Sequence, residues 1–237
     1  MMKTLCVVAV VVLSLTSVCQ PAPLACDKLL TKVDKSPDLS GRWYLIAMSS
    51  DVCLIPVLFN VIFWPSIAVD IAAKATPNIY EDNFKLNIYG YCASETESFL
   101  LQNNTMFDVD ENNALSGDKE VLLQTGCSDC FVAKEEDTVD TLLLFSRRKT
   151  LSAEELKEFE TQAECLGWSK PQILNTDHEY EKCKSLDDDA TDVDFSALKN
   201  TMYQQLQTKY REPLQCFTGD LLNSVFEWLK EEWNDLW

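Results

Sequence analysis

The segment Cys127-Ser128-Asp129-Cys130 is the first candidate for chemistry in this sequence. Two cysteines at this spacing serve redox enzymes at the start of a helix, and they can also supply half of a zinc site. A redox motif needs a strand and a turn before it and a helix after it, whereas zinc needs a second pair at similar spacing. The flanking sequence provides neither, so we interpret both cysteines as structural half-cystines at a hairpin.

The remaining residues do not assemble a catalytic site. The chain has one histidine, His178, which leaves little material for a triad, for a general base near neutral pH or for a His-based metal site. The acidic run from 187 to 194 has neither the glycine nor the closing glutamate of a calcium loop. The sequence therefore predicts no enzyme, no cofactor and no metal.

The N-terminus predicts export from the cell. Residues 1–19 contain one lysine, an apolar run from Leu5 to Leu15 and small residues before a cleavage point after Cys19. The alternative is a membrane anchor, but the apolar run of about eleven residues is shorter than the roughly 20 that a span requires. We expect a signal peptide at 1–19 and a secreted, extracellular protein.

Cysteine number agrees with an oxidising compartment. Cleavage removes Cys6 and Cys19 from the ten cysteines and leaves an even number, which predicts a disulfide framework. Spacing alone leaves the pairing open. The remaining cysteines are Cys26, Cys53, Cys92, Cys127, Cys130, Cys165, Cys183 and Cys216.

Charge limits the partners of the protein. Of the 237 residues, 20 are Lys or Arg and 38 are Asp or Glu, so the net charge of −18 would repel a phosphate backbone. Nucleic acid is therefore not an expected partner. With 46% hydrophobic and 24% charged residues, the composition is globular, and we expect one domain followed by a tail.

Apolar residues at every second position indicate strands. Ile67, Val69 and Ile71 show this period, and so does the segment from Phe84 to Ile88. About eight short strands at hairpin spacing predict an antiparallel sandwich or barrel. The predicted strands are 39–47, 67–72, 84–89, 97–102, 105–109, 120–124, 130–134 and 141–145.

Helical periodicity replaces this pattern further along the chain. Ser152 and Glu155 form a capping box, an apolar stripe follows from Leu156 to Leu166, and Gly167 ends the predicted helix. Residues 187–237 are predicted to be an acidic linker and a helical tail.

The tail contains two predicted helices. The first runs from Leu198 to Tyr210, and the second, from Asp220 to Trp237, is strongly amphipathic and contains three tryptophans. An exposed apolar face of this kind needs a partner. We expect it to dock on the same molecule rather than on lipid, because its polar face is acidic and helices at membrane surfaces usually carry Lys and Arg there.

Several motifs together resemble the lipocalin family. The Gly41-Arg42-Trp43 turn opens the first strand, and Arg147 ends the last one before the helix. The resemblance covers residues 24–186, lacks the second lipocalin motif before the seventh strand, and has no counterpart for the tail. It is strongest to the plasma subgroup that contains orosomucoid and apolipoprotein M, and to related toxin-binding plasma proteins of fish. The residues that carry it are Leu142-Leu143-Leu144-Phe145-Ser146-Arg147, Leu156-Lys157-Glu158-Phe159, Cys165-Leu166 and Glu181-Lys182-Cys183.

The resemblance implies a mainly β fold over residues 20–186. This fold is an eight-stranded antiparallel up-and-down lipocalin barrel with one flanking α-helix, followed by the helical C-terminal tail. Trp43, beside Gly41, would plug the closed end of the barrel, and Arg147 would pack across that tryptophan.

The resemblance also implies two disulfides. By position, Cys26 matches Cys165 and Cys92 matches Cys183 in family bridges. The four other cysteines would then pair among themselves. We expect one or two long bridges there rather than a strained link between Cys127 and Cys130.

The implied function is that of a secreted carrier of a small, largely apolar ligand. An eight-stranded barrel has room for one such molecule. Since the strands contain few Lys and Arg, neutral or cationic amphiphiles are favoured over anions. The predicted pocket residues are Trp64, Ile67, Val69, Ile71, Phe84, Leu86, Ile88, Phe99 and Leu101.

Two further features belong to this hypothesis. The apolar segment 52–65 is predicted to form a lid over the mouth, with a buried element that closes the core as the alternative. Asn103 begins the one Asn-x-Thr sequon and is a predicted glycan site.

We expect a monomer. The alternative function is a lipoprotein- or membrane-surface-associated protein that acts through its last helix.

Overall fold

Eight consecutive strands dominate the structure. It is a computed structural model, and it describes residues 22–35, 37–174, 183–185, 195–209 and Cys216. The predicted signal peptide, His178, the acidic run 187–194 and the predicted last helix lie outside the described residues. The strands are β1 (Gly41–Ser50), β2 (Ser66–Ala73), β3 (Ile79–Ile88), β4 (Tyr91–Gln102), β5 (Thr105–Val109), β6 (Leu115–Leu123), β7 (Cys130–Glu135) and β8 (Thr141–Ser146).

These strands form a closed antiparallel barrel. Each strand pairs with the next one in the chain, and β8 returns to pair with β1, where Phe145 lies opposite Leu45. Closure leaves no long exposed edge among the eight strands. The prediction of an eight-stranded up-and-down barrel is confirmed, and a sandwich is excluded because β1 and β8 are hydrogen-bonded.

Two short strands extend the barrel sheet. β9 (Gln172–Ile173) pairs with β1 beyond an irregularity between Leu45 and Ala47. β10 (Lys184–Ser185) runs parallel to the start of β4.

Four α-helices and one π-helical turn accompany the strands in the described part of the chain. The predicted capping box is present at the start of α3: the Ser152 hydroxyl accepts the Glu155 N–H, and the Glu155 carboxylate accepts the Ser152 N–H at 2.8 Å. No described helix combines the length and the apolar character needed to cross a membrane. The helices are α1 (Ala22–Leu29), α2 (Leu54–Leu58), the π-helical turn (Phe59–Phe63), α3 (Ala153–Cys165) and α4 (Phe195–Lys209).

Helix α3 covers one outer face of the barrel. Phe159 and Ala163 of this helix are buried with Val132 of β7 and with Leu142 and Leu144 of β8. The alternate residues of β8 face the barrel interior, so both faces of this strand are buried. This double burial explains why residues 142–145 form an unbroken apolar run.

The closed end of the barrel is built around Trp43. Its indole N–H donates to the Leu39 carbonyl at 2.7 Å, and its ring meets Phe131 edge-on at 4.8 Å between centroids. The Arg147 guanidinium lies 4.1 Å from the centre of the Trp43 ring and donates to the Ser40 carbonyl at 2.7 Å. The contact implied by the lipocalin resemblance is therefore present.

Four disulfides connect the described cysteines, and two of them are the implied family bridges. Cys26–Cys165 joins α1 to α3, and Cys92–Cys183 joins β4 to the residue before β10.

The other two disulfides correct one expectation. Cys53 bonds to Cys216 in one long bridge, but Cys127 and Cys130 bond to each other. A turn in which the Cys130 N–H donates to the Cys127 carbonyl brings their Cα atoms to 5.3 Å, a normal disulfide span. The expectation that these two cysteines avoid a short link is wrong, because the turn supplies this separation.

Candidate ligand site

A cavity of about 380 Å³ opens within the barrel and is accessible to solvent. The described residues that line it have only apolar or acidic side chains. The apolar ones are Val69, Ile71, Phe84, Phe99, Met106, Phe131, Leu143 and Phe145; the acidic ones are Asp82, Glu95, Glu97, Asp108, Glu120 and Glu135.

The apolar side chains of β2, β7 and β8 occupy one side of this wall. Val69 and Ile71 come from β2, and Phe131 of β7 stacks on Phe145 of β8 with 4.7 Å between ring centroids. A planar or compact apolar ligand would find a preformed surface here, since both rings are already packed in the core.

Four of the nine predicted pocket residues line the cavity, namely Val69, Ile71, Phe84 and Phe99. The other five lie elsewhere. Ile67 and Leu101 are buried in the barrel core, and Leu86 lines an adjoining recess that it shares with Phe84. Ile88 is the last residue of β3, and Trp64 lies at the mouth beneath Lys209.

Sequence reasoning missed the acidic side of the wall. Asp82 lies directly opposite Glu97 in the β3–β4 ladder, and Glu120 lies opposite Glu135 in the β6–β7 ladder. The alternation of side chains along each strand could have predicted these acidic residues. Asp82 is two residues from inward-facing Phe84, and Glu97 is two residues from Phe99, so each pair shares one face of its strand.

Three of the cavity carboxyl groups hold protons more tightly than carboxyls in water. Burial, followed by repulsion from Glu135, raises the pKa of Glu120 to about 8. Burial also raises the pKa of Asp82 to about 6, with Glu97 as the largest charged contributor. The pKa of Glu97 is raised by burial and by Asp108. The cavity is thus a site where negative charge is poorly compensated.

The nearby lysines do not neutralise the carboxylates within the cavity. Lys85 of β3 points to the outer surface, where its ammonium lies 2.7 Å from Asp70. Lys119 and Lys134 both contact Glu136 on the outside, at 3.2 and 2.7 Å. No Lys, Arg or His is found among the described residues that line the cavity.

The apolar segment between β1 and β2 is helical. It consists of α2 and the π-helical turn, and because it joins the end of β1 to the start of β2 it lies at the mouth of the barrel. Val57 and Val61 are buried, whereas Ile55 and Phe63 are 39% and 40% exposed. Its side chains are not part of the cavity wall, so the segment lies at the mouth without lining the described cavity.

Helix α4 packs against this mouth segment. The Lys209 ammonium lies 3.3 Å from the centroid of the Trp64 ring, and the Cys53–Cys216 disulfide joins the two regions covalently. Trp64 itself adopts a positive φ of 43°. Helix α4 and Cys216 are therefore attached to the mouth of the barrel.

Two other sequence candidates occupy the closed end of the barrel. The ligand-type atoms of Cys127, Asp129 and Cys130 lie within 4.8 Å of one another, but both sulfurs belong to one disulfide and offer no thiolate. Asp129 is engaged at 2.6 Å by Arg148. The predicted glycan residue, Asn103, is exposed in the turn between β4 and β5, with a positive φ of 52°.

Comparison with known proteins shows similarity in structure but not in sequence. A scan against protein-family models and a search of curated protein sequences both give no match. Among solved structures, the chain is similar to a protein described as the siderocalin Ex-FABP, which functions through dual ligand specificities. The TM-score is 0.47 and the identity 14%, over 59% of this chain and 91% of that one. Neither value is high enough to transfer a ligand to this chain.

Proposed function

We propose that this protein is a lipocalin and a secreted carrier that binds one small ligand with an apolar body inside its barrel. The observation that carries the proposal is the cavity of about 380 Å³ within a closed eight-stranded barrel. Small barrels of this strand number hold a single small molecule, and ligand sites are concave and largely apolar.

The residues at the closed end support the family assignment. Trp43 and Arg147 make the contact that the lipocalin resemblance implies, and α3 follows β8 as it does in that family. The two implied disulfides are further support. We assign the chain to the subgroup of orosomucoid and apolipoprotein M on the motifs around β8 and α3 given above.

Secretion into plasma, a glycan on Asn103 and a monomeric state are parts of the same proposal. Four disulfides among the described cysteines fit an oxidising compartment, as does the signal-peptide pattern of residues 1–19. We also propose that the protein is a binder rather than an enzyme. No Ser, Thr, Cys or Lys belongs to the part of the cavity wall that the structure describes.

The proposal is tested with protein secreted by cultured animal cells. We expect native mass spectrometry to detect a bound small molecule, and titration of the stripped protein with a lipophilic panel to quench tryptophan fluorescence. If no member of a panel of fatty, steroid-like and aromatic compounds bound more tightly than about 100 μM, roughly −5.5 kcal/mol, the carrier proposal would be rejected.

A matched pair of variants locates the binding. Met106 of β5 lines the cavity, whereas its neighbour Phe107 lies on the opposite face of the same strand. Met106→Trp should fill the cavity and weaken binding at least about tenfold, a loss of about 1.4 kcal/mol. Phe107→Trp should leave affinity unchanged. Flotation of ligand-free protein with lipid particles would instead favour the lipoprotein-surface alternative.

A further inference from the structure

Exposed apolar side chains concentrate at the mouth of the barrel. Six large hydrophobic side chains of the described residues are exposed, and three of them, Val52, Ile55 and Phe63, lie in the mouth segment, residues 52–65. A soluble protein rarely leaves a contiguous apolar patch uncovered unless the patch has a partner. The mouth therefore presents an apolar surface that calls for an occupant.

The outward side chains of the mouth segment form one stripe. Val52, Ile55, Phe59 and Phe63 stand at positions i, i+3, i+7 and i+11, which recur on one face of a helix. Val57, on the opposite face, is buried. The Phe59 and Phe63 rings are 5.8 Å apart between centroids. At about 1.5 Å per residue the stripe is about 16 Å long.

Two neighbouring elements widen this surface. The Asn60 side-chain amide donates to the Ile173 carbonyl at 3.2 Å, so β9 lies beside the π-helical turn, and the Ile173 side chain is exposed there. Helix α4 also packs on the turn, with Met202 and Leu206 half-buried and Tyr203 exposed.

The exposed side chains of these elements together are the mouth patch. It contains Val52, Ile55, Phe63, Ile173 and Tyr203. The patch thus holds five of the six large hydrophobic side chains that are exposed in the described part of the chain.

We propose that residues 217–237 of the same chain dock on the mouth patch through the apolar face of their predicted helix. The Cys53–Cys216 disulfide places the start of this segment at the patch, because its two Cα atoms are 5.6 Å apart and Cys53 directly follows Val52. From Cys216 to Asp220 the chain extends by at most about 14 Å. The predicted helix therefore begins within reach of the stripe. No ligand is needed for this contact, so it stands apart from the carrier function.

The sequence of this segment matches the patch in length and in polarity. At about 1.5 Å per residue, a helix over 220–237 would be about 27 Å long, enough to cover the stripe. Its apolar residues recur on one face, and its acidic residues lie mostly opposite. Two amphipathic helical segments bury their apolar stripes by packing them together. The apolar residues are Leu222, Val225, Phe226, Leu229, Trp233 and Leu236.

Covalent attachment favours the chain's own segment over that of a second copy. A short tether holds its segment at an effective concentration on the order of 1 mM, whereas a second copy is present only at the concentration of the protein. With a dissociation constant of about 0.1 mM, the contact would be about 90% occupied within one molecule, but only about 1% occupied between molecules at about 1 μM. A modest contact is thus sufficient for docking within the chain.

Charge disfavours an anionic lipid surface as the occupant. Residues 217–237 contain five Asp or Glu and one Lys, a net charge of −4. Helices that lie on membrane surfaces usually carry Lys and Arg on the polar face, and anionic headgroups repel an acidic one. Docking on the same molecule buries the apolar face and leaves the acidic face in water.

Photo-cross-linking identifies the occupant of the patch. Benzoylphenylalanine is placed at position 63 of the full secreted chain, at about 1 μM protein, far below the effective concentration of the tethered segment. Irradiation should join it to residues 220–237 in a product of monomer mass. The control carries the probe at position 115, the sixth exposed hydrophobic residue, across the barrel from β1 and β2, and should give no such product. A product of dimer mass would assign the patch to a second copy, and an adduct with added phosphatidylcholine vesicles would assign it to lipid; either result would overturn the proposal.

Hydrogen exchange separates docking from mere proximity. Because docking protects helical amides, residues 222–236 should exchange at least about tenfold more slowly in the wild type than in Phe63→Asp or in Leu229→Asp. The controls are Leu115→Asp, across the barrel, and Glu231→Gln, on the acidic face, and both should keep the protection.

Folding of the variants is checked in the same experiment. Unchanged exchange in the strands, together with retention of the Cys53–Cys216 disulfide in a peptide map, shows that the barrel is intact. Leu229→Asp keeps the proposal testable if Phe63→Asp does not fold, because the change then lies outside the barrel. A wild-type segment that exchanges as fast as in Leu229→Asp would show that residues 217–237 do not dock.

Discussion

Gly41 meets two constraints at the closed end of the barrel. Its φ of +103° is unfavourable for residues with a side chain, and an added Cβ would lie 2.8 Å from an Nη atom of Arg147. Gly41→Ala should therefore lower the free energy of unfolding by about 1–3 kcal/mol through backbone strain, with a further loss from displacement of Arg147 off Trp43. Thermal unfolding followed by near-UV circular dichroism measures this effect.

Gly90 provides the matched control for this prediction. Its φ is +87°, but an added Cβ would meet nothing within 4 Å. Gly90→Ala should show the strain alone. If both variants lost the same stability, the contact between Gly41 and Arg147 would contribute nothing to the fold.

Asn103 permits a second prediction at the residue scale. Its side chain is exposed in a hairpin turn, and Thr105, which completes the sequon, is the first residue of β5. Glycosylation occurs on accessible sequons of secreted chains. Protein from animal cells should lose the mass of one N-glycan on treatment with an endoglycosidase, and Asn103→Gln should abolish that loss. An unmodified wild-type chain would refute this prediction.

At the level of secondary structure, the strands and α3 can be predicted from the sequence because their apolar residues recur at regular intervals. Alternation in β2 and β3 and β-rich segments elsewhere predicted all eight barrel strands, and the Ser152 capping box predicted the start of α3. The acidic wall was not predicted, since alternation was interpreted as apolar inside and polar outside. In β4 this fails: Glu95 and Glu97 share the inward face with Phe99. Acidic residues on the inward face of a strand depart from the usual pattern.

The mouth segment could not be assigned from sequence for a different reason. A run that is apolar throughout has neither a period of two nor one of 3.6, so periodicity does not separate the predicted lid from a buried helix or strand. The structure has α2 followed by a π-helical turn, with the change of direction at Trp64, whose φ is 43°. The same ambiguity applies to Trp64, which is predicted to belong to the ligand pocket and whose side chain lies outside the described cavity wall.

The attachment of α4 to the mouth segment leads to a prediction about the disulfides. Cys53–Cys216 closes a loop of 163 residues, which in the chain-entropy model stabilises by roughly 5 kcal/mol at most. Replacing both cysteines by serine should lower the melting temperature and speed proteolysis between α4 and the barrel. It should also raise the ligand dissociation rate if α4 holds the mouth segment in place.

The control is the double serine variant of Cys127 and Cys130. This disulfide spans only three residues, at the closed end of the barrel, and its entropic contribution is roughly 1.6 kcal/mol in the same model. We expect a smaller change in melting temperature and an unchanged dissociation rate. Identical dissociation rates for both variants and the wild type would show that the mouth segment does not control ligand exchange.

For the whole molecule, the interior carboxyls predict how stability depends on pH. Glu120 has a pKa of about 8 in the folded protein against an ordinary value of 4.5, and Asp82 has about 6 against 3.8. Between these limits the folded state binds more protons than the unfolded state, so stability falls as pH rises. A full proton corresponds to a slope of about −1.4 kcal/mol per pH unit.

Chemical unfolding of the ligand-free protein at pH 5.5, 7 and 8.5 tests this expectation. The free energy of unfolding should decrease across the series, and Glu120→Gln should reduce the decrease and stabilise the protein at pH 8.5. Glu81→Gln changes an exposed acid for which Lys74 is a surface partner at 3.2 Å, and it should leave the slope unchanged. Constant stability of the wild type across the three pH values would contradict the raised pKa values.

The final prediction concerns the coupling of protons to ligand binding. In the free cavity Glu120 is faced by Glu135 from β7, Asp108 from β5, Asp82 from β3 and Glu97 from β4, all of which favour its protonated form. A positively charged aromatic amine bound among these groups would reverse that preference, so Glu120 should ionise as the amine enters. At pH 7 a group with a pKa of about 8 is about 90% protonated, and binding of naphthylmethylamine, an aromatic amine with one positive charge, should release close to one proton. Calorimetry in buffers of different ionisation enthalpy measures this number directly, and Glu120→Gln should reduce it substantially. Because protons and ligand compete, affinity for the amine should rise with pH from 6 to 8.5, over which range the amine itself stays largely charged. A wild-type protein that binds the amine without releasing protons, and with an affinity independent of pH, would show that the ammonium does not reach Glu120.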